Sequence, residues 1–200
     1  VVIAGGVESM SRVPMFSPSS AFAKVGLGAD PLTDRIKQRF GVQQFSQFTG
    51  AEMLVNKYKL TKEALDQFSL DSHLKAIEAT NNGAFDQEII TLDVEGTPHT
   101  VDEGIRFDAS LEGIAGVKPI AEDGLLSAAN ASQICDGASA VLIVNEKALK
   151  QYGLTPMAKI VHVSVTAGDP VIMLEEPINA TRLALKKAGL SIDDIDLYEV

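Results

Sequence analysis

The stretch that decides the fold runs from Ser139 to Gly153 and reads SAVLIVNEKALKQYG. Its first six residues form a strand-length run without charge, and Asn145 then offers a side chain that caps helix N-termini. A second apolar run at residues 160–165 and a helical pattern at residues 177–188 continue the alternation. Alternating strands and helices are typical of layered folds, so the sequence predicts the α/β class.

The two ends of the chain both read as strands. Residues 1–4 form an apolar run in front of Gly5-Gly6, which predicts a strand that ends in a turn. Residues 195–200 predict a last strand that is still in progress at the final residue. Natural termini are usually exposed and polar, so two interpretations stay open here: a complete domain with strands at its ends, or an internal piece of a longer protein.

The middle of the chain differs in composition from its ends. Residues 12–47 are rich in Ser, Pro, Gly and Phe, and they predict loop with a short helix at residues 32–39. Two helices are expected at residues 51–58 and 61–80, and a short strand at residues 89–94. The second helix is predicted to carry Leu65, Phe68, Ser72 and Ala76 on one stripe.

Charge and composition exclude several classes of function. The 27 acidic and 17 basic residues leave a net charge of -10, which argues against a nucleic-acid-binding protein. No apolar run reaches the ~18 residues of a membrane span, and no signal peptide is visible. A single cysteine excludes an intrachain disulfide. We therefore expect a cytoplasmic protein that binds neither nucleic acid nor membranes.

Six short motifs, in order and at the right spacing, carry a resemblance to the thiolase family. The first, AGGVESMS at residues 4–11, is similar to that family's Ala-Gly-Gly-x-Glu-x-Met-Ser signature at the end of a strand. The others are Asp102-Glu103 with Arg106, the segment 123–132, Asp136-Gly137-Ala138, Gly168-Asp169-Pro170 and the ending 196–200. No single motif is specific, but together they match the whole chain in one register.

The resemblance implies a thiolase fold, a layered αβαβα core with an inserted loop domain, of which this chain holds an incomplete part. Residues 1–11 and 128–153 would belong to the N-terminal half of the core. Residues 12–127 would form the inserted loop domain, and residues 154–200 would begin the C-terminal half.

The resemblance also implies an activity, that of an acetyl-CoA C-acyltransferase, or 3-ketoacyl-CoA thiolase, of fatty acid β-oxidation. An acyl group would pass from 3-ketoacyl-CoA to an enzyme cysteine and then to CoA. The family's catalytic motifs match no residue here, so the chain alone is expected to be inactive and unstable. The context of Cys135 differs from the family's nucleophile turn, and we assign this thiol a structural role.

Three residues match coenzyme A contacts of the family. Arg106 corresponds to the arginine near the adenine end, Ala128 to a small residue of the pantetheine tunnel, and Ser132 to the serine that contacts the pantetheine arm. Two alternatives remain open: Ser132 is a turn residue, or Arg106 forms a surface ion pair with an acidic neighbour. The segment 46–48 departs from the His-Met pair of many members and looks like degradative thiolases that handle bulky acyl chains.

The remaining polar residues give no further site. His73, His99 and His162 lack metal-ligand spacing, so no metal is expected. No cofactor is expected either, because coenzyme A is a substrate of the family. The acidic pairs 175–176 and 193–194 are interpreted as charges at helix starts.

The expected ligands and oligomeric state also follow from the resemblance, and two alternative functions stay open. The resemblance implies acyl-CoA and CoA as ligands and a homodimer or homotetramer. The first alternative is a non-catalytic thiolase-like protein that binds acyl-CoA or a lipid. The second is a related condensing enzyme of polyketide or fatty-acid synthesis, against which the long insertion at residues 12–127 argues.

Overall fold

A computed structural model describes residues 1–28 and 32–199, and the chain divides into two compact units. We call Val1–Ser46 with Ile134–Val200 the terminal unit, and Gln47–Gln133 the central unit. In chain order the elements are β1 (Val2–Ser9), α1 (Ser17–Lys24), α2 (Asp34–Phe40), α3 (Gln47–Tyr58), α4 (Lys62–Asn81), β2 (Leu92–Val94), β3 (Thr97–His99), α5 (Leu111–Ala115), β4 (Asp136–Ile143), α6 (Glu146–Gln151) and α7 (Glu176–Ala188).

The terminal unit is built on an antiparallel pair, β1 with β4, in a register from Val2 opposite Ile143 to Ser9 opposite Asp136. The predicted turn at Gly5-Gly6 is wrong, because β1 continues through both glycines. A Cβ atom at Gly5 would lie 2.8 Å from the carbonyl oxygen of Ser139 on β4. Glycine therefore permits close approach of the two strands here instead of ending β1.

Apolar side chains of this strand pair are exposed in the chain as it stands. Ile3 and Val7 of β1 expose 77% and 79% of their surface, and Val141 of β4 exposes 58%. Apolar strand residues of this kind are normally covered by a further layer. The expected instability of the chain alone stays a prediction, but these faces are where it would originate.

The segment predicted to be mostly loop contains two helices, α1 and α2. The prediction missed α1. Pro18 suits the first turn of this helix, because proline has no backbone N–H that would need a partner there. It found α2 to within one or two residues, and Thr33 Oγ1 caps it by accepting from the Ile36 amide. The first two residues of the predicted helix at 32–39 precede α2 as its lead-in and cap.

Two predicted strands of the terminal unit do not form in the described part of the chain. Residues 160–165 pair with no other described strand, and Val161, Val163 and Val165 are exposed. The same holds for residues 195–199, while Val200 lies outside the described residues. A strand forms only where a neighbouring strand offers hydrogen-bond partners for its backbone amides and carbonyls. An apolar sequence pattern does not show whether such a neighbour is present.

The central unit consists of α3, α4, α5 and a β2–β3 hairpin, with α5 packed against α4. Both long helices lie where the sequence predicts them, and Thr61 caps α4 by accepting from the Ala64 amide. The predicted stripe of α4 is not a buried face, because Phe68 is 78% exposed and Ser72 is exposed. Asp66 is buried instead, at 2% exposure, because it joins a polar network.

The helix boundaries in the last third agree with the sequence. Asn145 Oδ1 accepts from the Ala148 amide at the start of α6, and Gly189 ends α7 with a left-handed φ of 70°. The acidic pair at residues 175–176 lies at the start of α7, and Asp194 accepts from the Ser191 amide at 2.7 Å. No helix of the described residues is long and apolar enough to cross a membrane.

Candidate functional site

One polar face of α4 organises the central unit. Asp66, Ser69 and His73 follow each other at helical spacings of three and four, so they lie on one side of the helix. Lys62, one turn before Asp66, contacts its carboxylate at 2.6 Å. We call Asp66, Ser69 and His73 the α4 anchor face, because each of them holds a loop segment in place.

The first of these segments is the turn that contains Asn130. The Asn130 amide donates to Asp66 Oδ1 at 3.2 Å and to Ser69 Oγ at 3.0 Å. Asn130 Oδ1 accepts from the Ser127 amide at 3.0 Å and lies 3.2 Å from its hydroxyl. Ser127 is fully buried, and it caps a short 3-10 helical turn over Ala128–Asn130. The buried Asp66 carboxylate and the side-chain amide of Asn130 thereby fix the turn that leads to Ser132.

A carboxylate on α3 holds the approach to the same turn. Glu52 Oε1 accepts from the backbone amides of Leu125 and Leu126, both at 2.9 Å. A Cβ atom at Gly124 would lie 2.5 Å from that oxygen, so a residue with a side chain would displace the carboxylate. The segment before Ser127 is therefore tied to α3, and the segment after it is tied to α4.

The second segment held by the anchor face is the loop that contains Arg106. The Arg106 amide donates to His73 Nδ1 at 3.2 Å, across 33 positions of sequence. Within the loop, Asp102 Oδ1 accepts from the Gly104 amide at 2.7 Å. This geometry requires an unprotonated Nδ1 on His73, because a protonated nitrogen cannot accept.

The two segments also meet each other. A Cβ atom at Gly104 would collide with the side-chain amide of Gln133, so that amide lies directly against the Gly104 backbone. Gly104 precedes Arg106 by two positions, and Gln133 follows Ser132 directly. The loop of Arg106 and the turn of Ser132 are thus neighbours on the central unit.

The three predicted coenzyme A contacts all belong to this arrangement. Arg106, Ala128 and Ser132 are exposed, and each belongs to, or directly follows, a segment held by α4. An exposed guanidinium can pair with phosphate, and an exposed hydroxyl beside small residues can bond an amide arm. The structure shows where these residues lie but not that they bind, so their roles stay predictions.

The other candidates belong to other segments of the chain. Cys135 is exposed and belongs to the terminal unit, as does His162. His99 ends β3 of the small hairpin. Among the described residues, no group of three or more His, Cys, Asp or Glu side chains could hold a metal ion.

One carboxylate of the terminal unit, that of Asp136, is held by Ser11 at the end of the strand pair. Asp136 Oδ1 accepts from the Ser11 amide at 2.9 Å, and Oδ2 accepts from the Ser11 hydroxyl. The Ser11 hydroxyl and then its amide lower the pKa of Asp136 below its ordinary 3.8. The segments 4–11 and 136–138 of the resemblance therefore meet in space.

Two thiolase domain models match the chain. The model for the thiolase N-terminal domain matches residues 1–147, and the model for the thiolase C-terminal domain matches residues 154–200. The chain belongs to the thiolase family. The family predicted from the motifs is confirmed.

Individual thiolases resemble the chain over its whole length. It is 48% identical over 203 residues to a protein named steroid 3-ketoacyl-CoA thiolase FadA6 of Mycobacterium tuberculosis, with 100% of this chain and 49% of that protein covered. It is 38% identical over 210 residues to a 3-ketoacyl-CoA thiolase of Aliivibrio fischeri, covering 100% of this chain and 51% of the relative. The chain therefore spans about half the length of the curated relatives it matches.

A solved thiolase shares the fold. The human mitochondrial 3-ketoacyl-CoA thiolase in complex with CoA is 35% identical, with a TM-score of 0.79 over 98% of this chain and 50% of that one. The predicted thiolase fold is confirmed. The predicted boundaries of the inserted loop domain and the assignment of Arg106, Ala128 and Ser132 stay predictions.

The anchor residues are the part of the site that sequence reasoning missed. Sequence reasoning assigns no role to Asp66, Ser69 or Glu52, and it considers His73 only as a possible metal ligand. One signal was present, since Lys62 and Asp66 have the i, i+4 spacing of an ion pair. The partners of Asp66 and Glu52 lie 64 and 73 positions away, which no local pattern reveals.

Proposed function

We propose that the chain is the middle part of a degradative 3-ketoacyl-CoA thiolase and that it carries that enzyme's coenzyme A-binding segments. The observation that carries the proposal is the pair of α4-held segments that bear Arg106 and Ser132. It is supported by the match of both thiolase domain models and by 48% identity to a 3-ketoacyl-CoA thiolase.

The proposed reaction has two halves. A cysteine thiolate supplied outside this chain attacks the C3 carbonyl of 3-ketoacyl-CoA, and the bond between C2 and C3 breaks. The electron pair of that bond passes to C2 as the acetyl-CoA enolate, which takes up a proton. The thiolate of a second CoA then attacks the enzyme thioester, forms the shortened acyl-CoA and releases the cysteine.

The residues of this chain contribute binding to that reaction. Arg106 would pair with the phosphates at the adenine end, and the Ser132 hydroxyl would bond an amide of the pantetheine arm. Ala128 has no side chain beyond its Cβ, which leaves room for the arm to approach. Because the same CoA moiety is bound before and after bond cleavage, these contacts should affect KM more than kcat.

A bulky acyl group is the substrate class that we propose. The relative with 48% identity is named for steroid 3-ketoacyl-CoA. The Ser46-Gln47-Phe48 segment replaces the His-Met pair of many family members. Turnover of a short-chain and a ring-containing 3-ketoacyl-CoA by the full-length protein tests this, and a preference for the short chain would contradict it.

We also propose that the full-length protein acts in the cytoplasm as a homodimer or homotetramer. The exposed apolar residues of β1, which include Ile3 and Val7, offer surface for a partner or a further layer of the same chain. Sedimentation velocity at micromolar concentration would show the assembly, and a strict monomer would contradict this part.

Mass spectrometry of the full-length protein tests whether it is an enzyme or only a binder. After incubation with 3-ketoacyl-CoA and no free CoA, we expect an acyl adduct on one cysteine other than Cys135. The adduct should disappear when CoA is added. Absence of any adduct, together with tight acyl-CoA binding, would favour the alternative, a non-catalytic thiolase-like protein.

A further inference from the structure

The α4 anchor face holds both proposed CoA-contacting segments from one rigid element. Asp66 and Ser69 accept from Asn130, which lies two positions before Ser132. His73, one turn further along the helix, accepts from the Arg106 amide. The spacing between the two segments is therefore set by the spacing of three side chains on one helix.

Of the two contacts, the one between His73 and the Arg106 backbone bears more directly on ligand binding, because it holds the residue proposed to pair with phosphate. Two further hydrogen bonds of the Arg106 loop are local, from the Gly104 amide to Asp102 and from the Ala109 amide to the Arg106 carbonyl. A local bond fixes the shape of a loop, whereas the bond to His73 joins the loop to α4. The guanidinium can reach only as far as the arginine side chain extends, so the position of the Arg106 backbone limits which phosphate it can contact.

We propose that His73 is a positioning residue for coenzyme A, acting through the backbone of Arg106. It holds the arginine backbone against the same helix that holds the turn leading to Ser132. This inference rests on the proposed function and adds to it a residue that touches no substrate atom. Its contribution is to CoA affinity, and the chemical steps do not depend on it.

The acceptor atom of His73 can be removed or replaced without changing the rest of the site. In asparagine, Oδ1 lies one bond beyond Cγ, as Nδ1 does in histidine, so His73→Asn keeps an acceptor at that place. His73→Leu keeps bulk and removes the acceptor. His73→Gln carries its oxygen one bond further out and cannot reproduce the contact. Ser72→Ala is the matched control, because Ser72 is exposed on the same helix.

The experiment is steady-state thiolysis by the full-length protein at varied CoA, together with calorimetric CoA binding by each variant. We expect His73→Leu and His73→Gln to raise the KM and Kd for CoA by roughly three- to tenfold, the range for one neutral hydrogen bond. We expect kcat to stay within about twofold in these variants. His73→Asn should restore most of the affinity, and Ser72→Ala should match the wild type.

Several results would overturn the inference. They are an unchanged KM and Kd in the Leu and Gln variants, a fall in kcat without a change in KM, or no rescue by asparagine. If the His73→Leu protein fails to fold, the KM and Kd of His73→Gln and His73→Asn still test the inference. Wild-type protein that binds CoA but shows no turnover would refute the proposed enzyme and still test His73 by its Kd. Wild-type protein that neither binds nor cleaves would refute both.

Discussion

The side-chain amide of Asn130 donates to the buried carboxylate of Asp66 at 3.2 Å, across 64 positions of sequence. The same amide group reaches Ser69, and its oxygen accepts from the Ser127 amide. Asn130 therefore satisfies three partly or fully buried polar residues at once. Removal of this one side chain should leave all three short of a partner.

Substitution of Asn130 by alanine tests this network. We expect Asn130→Ala to lower the free energy of unfolding by about 2–4 kcal/mol, because buried polar groups lose hydrogen bonds that water cannot replace. Urea denaturation of the full-length protein measures the change. Gln67→Ala is the matched control, since Gln67 also bonds an aspartate, Asp71, but at an exposed place on α4. A change for Asn130→Ala no larger than the control's would contradict the expectation.

Glu52 offers a second test of how the turn is held. In Glu52→Ala the amides of Leu125 and Leu126 lose their acceptor, which should lower the free energy of unfolding by about 1–3 kcal/mol. Glu52→Gln keeps an oxygen at the same place and should lose less. Glu78→Ala, an exposed glutamate of α4, serves as control. Chemical denaturation of the three variants measures their free energies of unfolding. Equal losses in Glu52→Ala and Glu52→Gln would contradict the role of the Glu52 oxygen.

The Ser11–Asp136 contact predicts a dependence on pH with a definite sign. Hydrogen bonds from Ser11 hold the folded-state pKa of Asp136 below 3.8, so the carboxylate is favoured in the folded chain. The contact therefore stabilises the folded state fully above the unfolded value of 3.8, and this contribution is lost as the pH falls through the lower folded value.

An NMR titration of the Asp136 carboxyl measures this directly. In Ser11→Ala we expect its pKa to rise towards 3.8, though not completely, because the backbone amide of residue 11 still donates. The Asp194 carboxyl, whose pKa is lowered by the Ser191 amide, should be unaffected and serves as internal control. A pKa for Asp136 that does not move on substitution would refute the role of the Ser11 hydroxyl.

The assignment of Ser132 and Arg106 as coenzyme A contacts is tested by affinity. We expect Ser132→Val and Arg106→Ala in the full-length protein to weaken CoA binding by roughly 5- to 50-fold, since a bond to a charged group contributes about 1.5–3 kcal/mol and a neutral one less. Removal of the 3′-phosphate from the ligand should diminish the Arg106 effect and leave the Ser132 effect unchanged. Unchanged affinity in both variants would remove the assignment.

The sequence predicted those parts of the fold that depend on local chemistry. The caps at Thr61 and Asn145 and the end of α7 at Gly189 follow from side chains and backbone freedom within a few residues. It failed where a distant partner decides the outcome. Gly5 reads as a turn in isolation, but it lies inside β1 because the chain approaches Ser139 there.

The candidate site shows the same division. Arg106, Ala128 and Ser132 could be proposed because short motifs mark them. The residues that hold them could not, since Asp66 looks like any helix-surface acid until Asn130 is placed beside it. His73 could not be proposed for the same reason, because its partner is a backbone amide that no sequence motif displays.

The most direct test of the central claim is CoA-dependent cleavage of a 3-ketoacyl-CoA by the full-length protein and by its Cys135→Ser variant. We predict that both release acetyl-CoA and the shortened acyl-CoA at equal rates, because we propose a nucleophile outside this chain and Cys135 is exposed beside the strand pair. Tight CoA binding without cleavage by the wild type, or loss of cleavage on the Cys135→Ser substitution, would contradict the account.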